Sequence, residues 1–342
     1  MLDLIKDYMR LSCISRTESQ SAVYEFDCII PDILPDMAKI LAIDAAAGIE
    51  TISKGSSSAT VNFRIDYKIL YMPDVGKISE ELPETPEIKS FTAFSEHTAV
   101  LDTDFIGENT MIRATCCVEN IESDYINSRK ISIKTAVRMD PVIINTNEEG
   151  ICTGIAGLED VQAQKSNITL STIAESAADT IVIDEDIELS SGKAAYKELL
   201  RTDAILSDTT CSVTGDKLQI RGNLEICTLY VSDDRTQSVQ IIENEVPFAH
   251  SIEVETIGDD ILWKTDFVLK KYKVEICQDS DGENRILHVE AEISVTADAY
   301  TAQTFELLSD AYSLTQKFTL EKAEITGMLV MDDISGQFVL RD

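Results

Sequence analysis

The chain has 342 residues, with 61 Asp and Glu against 29 Lys and Arg, a formal net charge of −32. A surface this acidic repels phosphate backbones and anionic lipid headgroups, so no nucleic-acid partner is expected. Hydrophobic residues make up 44%, enough to build folded domains, about two at the usual ~100–200 residues each. No stretch approaches the ~20 apolar residues of a spanning helix, so no membrane insertion is expected and the expected location is the cytoplasm.

In chain order, MLDLIKDYMRL places Leu2, Ile5 and Met9 at helical spacing, with Asp3 and Asp7 balancing Lys6 and Arg10. This predicts a helical segment over residues 1–21, without the basic start and apolar run of a signal peptide. Pro35–Ala47 predicts a short helix with proline in its first turn. In ATVNFRIDYKILY, Ala59–Tyr71, the residues Val61, Phe63, Ile65, Tyr67, Ile69 and Tyr71 share one face. Asn62, Arg64, Asp66 and Lys68 share the other, the alternation of a strand with one buried and one wet side. Thr110–Glu119 and Lys130–Arg138 read as further strands and complete a first β domain over 22–143.

Residues 144–179, with NTNEEG and GIAGLED, read as a polar, small-residue connection. Gly192–Leu200 predicts a second short helix. Lys217–Val231, Leu262–Cys277 and Arg285–Thr296 read as strands, with turns at Gly215-Asp216 and Asp281-Gly282. They form a second β domain over 180–305. Residues 306–342 read as strands that begin a truncated third unit. The expected fold class is all-β, with two related β-sandwich-like domains that each carry one short helix.

The two domains are copies. Ile40-Leu41 and Asp44-Ala45 match Leu199-Leu200 and Asp203-Ala204 at an offset of 159. Leu70-Tyr71 matches Leu229-Tyr230 at the same offset, and Arg129 matches Arg285 at 156. Phe338-Val339-Leu340 is similar to Ile181-Val182-Ile183, the opening strand of the second copy. A lone strand must find partners for its backbone groups. Gln337, Phe338, Val339 and Leu340 are therefore candidates for strand exchange with another molecule.

Ile30–Leu41, IPDILPDMAKIL, resembles the apolar-Pro-Asp-x-x-Pro-Asp-x-x-x-Ile-Leu motif of the SPOCS domain family, found in spore-coat morphogenetic proteins of the SpoVID and SipL type in spore-forming Firmicutes. Asp310–Ser313, DAYS, resembles the piece that joins successive family units, and Ile181–Leu189, IVIDEDIEL, the strand that opens later ones. The resemblance covers about 22–342. It implies a non-catalytic scaffold that recruits coat or envelope proteins, on the mother-cell side or at the spore surface. The second copy has Ser190-Ser191-Gly192 in place of the Pro-Asp pairs, and no LysM-type glycan-binding module is expected to follow.

The candidate chemistry is sparse. Pro31, Asp32, Pro35 and Asp36 are the candidate partner-binding residues; as a carboxylate pair for acid–base work they lack a partner and a pocket. Asp279–Asn284, DSDGEN, has its glycine fourth where a calcium-binding EF-hand loop has it sixth, and predicts a hairpin turn. His97, His250 and His288 are scattered, no two cysteines have two-residue spacing, and no phosphate loop or nucleophile elbow occurs. No catalytic residue, metal or cofactor is expected. The eight cysteines are expected to be reduced and structural. The function expected is that of a structural or interaction protein binding protein partners, another copy of itself included. Two alternatives are a self-assembling filament or shell subunit and a carbohydrate- or calcium-dependent binding module.

Overall fold

The computed structural model describes residues 3–74, 87–102, 107, 109–157, 160–234, 238–315, 317, 319, 321 and 327–331. Every regular element among them is a strand: β1 Asp3–Arg16, β2 Gln20–Ile29, β3 Met37–Lys54, β4 Ser58–Pro73, β5 Lys89–Asp102, β6 Thr110–Asn127, β7 Lys130–Ala156, β8 Val161–Glu188, β9 Tyr196–Thr214, β10 Lys217–Ser232, β11 Val239–Glu253, β12 Ile261–Gln278 and β13 Asn284–Ser313.

The duplication is visible strand by strand. β4 lies between β3 and β5, and β10 between β9 and β11. β7 is flanked by β6 on one side and by β1 and then β2 along the other; β13 is flanked by β12 and by the single long β8. All pairings are antiparallel. β7 continues past residue 143 and β8 runs through residue 179 without a break.

Each repeat packs its two sheets face to face. In the first, the alternating residues of β4 from Val61 to Tyr71 are fully buried against Cys28, Ile131, Ile133, Val137 and Met139. In the second, Leu218, Ile220, Leu224 and Ile226 of β10 meet Ile181, Ile183, Val289, Ala291 and Ile293. The alternation in the sequence is thus the burial pattern of the central strands.

The expected helices are absent. Pro35–Ala47 runs into β3 and Gly192–Leu200 into β9, and the expected helical segment at residues 1–21 holds β1. The spacing in β3 explains the first error. Ile43, Ala45, Ala47 and Ile49 pack on the core at a period of two, while Ile40 and Ile52 each lie three residues further out. Register shifts between Ile40 and Ala42 and between Ile49 and Thr51 insert an extra residue at each place. Such bulges turn a two-residue repeat into a helix-like three. Register shifts between Leu229 and Tyr230 and between Val231 and Ser232, opposite Arg201–Tyr196, do the same in β9. In β1, Met9 and Leu11 are the buried pair, a strand spacing set by pairing with β7.

Equivalent residues meet where the two repeats join. Met111 pairs with Ile144, and at the matching place Leu262 pairs with Tyr300. All four pack in one apolar cluster with Ile173. Ser12 and Thr172 share a buried hydroxyl contact of 3.0 Å. Around this seam run polar links: Lys68 Nζ to Asp203 at 2.8 Å, and Arg201 to Asp44 at 2.6 Å. Meeting through like elements is how an isologous dimer associates, here within one chain.

Candidate interaction site at the Pro-Asp loop

The loop between β2 and β3 carries all four candidate partner-binding residues, and one arginine holds it. Leu34 N donates to Pro31 O at 2.9 Å, which makes a turn. Ile30 N donates to Arg129 O at 3.0 Å and Met37 N to Ser128 O at 2.7 Å, so the loop is fastened to the β6–β7 turn at both ends. The Arg129 guanidinium then reaches under it. It donates to Ile30 O at 3.1 Å, Pro31 O at 3.0 Å and Leu34 O at 3.3 Å. It also donates to Asp36 Oδ1 at 2.8 Å and, more weakly, to Asp32 Oδ1 at 3.4 Å. A planar five-donor group is suited to such a converging set of oxygens.

The four residues therefore divide. Asp36 is committed to the fold: Ser128 Oγ donates to its second oxygen at 2.8 Å. Hydrogen bonds from Arg129 and Ser128 hold its carboxyl below the ordinary aspartate value. Pro35 O accepts from the buried Tyr71 hydroxyl at 2.9 Å. Asp32 and Ile33 lie at the solvent side of the loop, with the Asp32 side chain 103% and Ile33 92% exposed. A strand, β3, and not the expected helix follows these aspartates, and Asp36 anchors an arginine.

The second repeat has the same frame with a different crown. Leu189 N donates to Arg285 O at 2.8 Å, and Lys193 N to Ser190 O at 3.1 Å. Arg285 donates to Leu189 O at 3.3 Å, Ser190 O at 3.0 Å and Lys193 O at 3.1 Å. The carbonyl clamp is repeated, and among the described residues no carboxylate takes part in it. Arg129 carries no motif of its own; the signal for it in the sequence is its match with Arg285, each at the opening of a strand in its own copy.

Residues 197–277 match the family model described as SipL, SPOCS domain. This stretch is similar to the SPOCS domain. It spans β9 to β12 and lies between the Leu189–Ala195 loop and Arg285, so the SPOCS match includes neither. The SPOCS family is one of structural, sporulation-related domains and is not a known family of enzymes. No curated protein and no solved structure gives a match.

The remaining candidates resolve into turns and sheet faces. Asp279 Oδ1 accepts from Asp281 N at 3.0 Å and Glu283 N at 2.9 Å, and Gly282 has φ of +81°, so DSDGEN is the hairpin turn between β12 and β13. Among the described residues no three His, Cys, Asp or Glu are grouped to hold a metal ion. His97 packs on Tyr24 and Phe63, and burial lowers its pKa. His250 meets Asp179 at 2.8 Å, and His288 meets Asp186 at 2.8 Å. All eight thiols are free, and burial pushes those of Cys28 and Cys116 up to about 11. Gln337, Phe338, Val339 and Leu340, the candidates for strand exchange, lie outside the described residues.

Proposed function

We propose that this chain is a non-catalytic structural protein of the sporulation type, which recruits protein partners through the crown of the Pro31–Asp36 loop. One comparison carries the reading. The arginine clamp recurs in both repeats, but Asp32 and Ile33 stand exposed on the first and have Ser191 and Gly192 near their place on the second. A crown that the fold keeps in one copy and omits in the other is not needed for folding. An exposed carboxylate beside an exposed isoleucine suits a partner offering a basic group next to an apolar pocket. The SPOCS match supports the sporulation setting. In this reading the chain acts in the mother-cell cytoplasm or at the spore surface, without nucleic acid or membrane insertion.

The test is affinity capture from sporulating cells with the full chain and its Asp32→Ala/Ile33→Ala variant. The reading expects at least one protein to be held by the parent and lost by the variant, with thermal unfolding of the two unchanged. Identical sets of captured proteins would overturn it.

A further inference from the structure

We propose that the edge of β8 at Ser171 is a strand-exchange site, and that the segment Gly327–Met331 of a second copy of this chain can take the place of the chain's own. In the folded chain that segment lies on this edge. Ser171 N donates to Met328 O at 2.7 Å, and Val330 N donates to Ser171 Oγ at 3.0 Å. Met328 and Val330 pack on Ile144, Ile173 and Tyr300, the apolar cluster at the seam of the two repeats. A Cβ on Gly327 would stand 2.9 Å from Leu170 Cδ1 and 3.0 Å from Cδ2, so a side chain there requires Leu170, itself buried, to shift, and a bulky one meets it head on.

The seat is selective but lightly held. Ser171 and Met328 form an isolated antiparallel bridge rather than a ladder. β8 pairs with β13 along its other edge, and Leu329 and Met331 are left 52% and 69% exposed. An open strand edge accepts an added strand, and its main-chain bonds do not depend on which molecule supplies it. Exchange between copies keeps every bond of the seat, the condition under which identical elements swap at low cost. The occupant is identified by what the seat already holds: a glycine followed by Met-Leu-Val-Met. This inference is independent of the loop crown, since Asp32 and Ile33 take no part in it.

The test uses the full chain, the full chain with Gly327→Leu, and a fluorescein-labelled synthetic peptide of residues 325–333. The substitution keeps the chain's own segment off Leu170 and leaves the seat open. The peptide should bind this variant saturably and at least about ten-fold tighter than the parent, whose own segment competes. The same peptide with leucine for Gly327 should not bind. Ser171→Ala, which removes only the acceptor of Val330 N, should weaken peptide binding in the Gly327→Leu background. Sedimentation of the parent should show mass rising with concentration, and Gly327→Leu should abolish the rise. Equal binding of the two peptides, no binding at all, or a parent that keeps monomer mass at every concentration would each overturn the proposal.

Discussion

Arg113 of β6 donates to both carboxylate oxygens of Asp298 of β13, at 2.5 and 2.7 Å, and so ties the first repeat to the second. Asp298 has only 4% of its side chain exposed, and Ser176 Oγ donates to it at 2.7 Å. A bidentate pair at such a seam gives direction to an interface that apolar contacts alone would leave loosely aligned. It stands beside the cluster in which Met111 and Leu262 meet Ile144 and Tyr300.

Removing one partner should cost more than removing both. Arg113→Ala leaves the buried Asp298 carboxylate with the Ser176 hydroxyl in place of a bidentate cation, and should destabilise the chain by about 3 kcal/mol. Arg113→Met with Asp298→Leu should recover much of that. Urea unfolding of the single and double variants measures the difference, and an additive double variant would refute the coupling.

The core of the first repeat holds a similar test. Tyr67 Oη and Thr135 Oγ1 share a hydrogen bond of 3.0 Å with both residues fully buried. Tyr67→Phe leaves the threonine hydroxyl without this partner and should cost about 1–2 kcal/mol. Adding Thr135→Val removes the stranded hydroxyl and should restore part of the loss, as read by thermal unfolding.

His288 provides a pH test. Its ring lies 2.8 Å from Asp186, 3.6 Å from Glu290 and 3.8 Å from Asp184. The Asp186 hydrogen bond, with Glu290 and the Asp184 charge behind it, raises its pKa above 6.5. A raised histidine pKa stabilises the fold fully below about pH 6.5, and that contribution fades as pH rises through the folded value. Asp186→Asn should bring the His288 titration, followed by NMR, down towards 6.5. An unchanged midpoint would show that Asp186 does not hold the proton.

The alternation from Val61 to Tyr71 by itself determined a strand with one buried face, because a period of two aligns those side chains in any extended backbone. The duplication was equally legible, since Asp44 and Asp203, or Arg129 and Arg285, keep their spacing through both copies. Helix against strand at Met37–Lys54 was decided only in three dimensions. Alanine-rich residues 42–47 favour a helix in isolation, but pairing with β4 supplies a ladder and an apolar face that outweigh this preference. The role of Arg129 was decided there too. Its carbonyl and carboxylate partners lie more than ninety residues away in sequence, and no local pattern encodes them. The charge of −32 belongs to the sequence. Which carboxylates are spent on the fold, as Asp36 and Asp298 are, and which stay fully exposed with only a long contact to an arginine, as Asp32 does, is settled by where the packing places the few arginines.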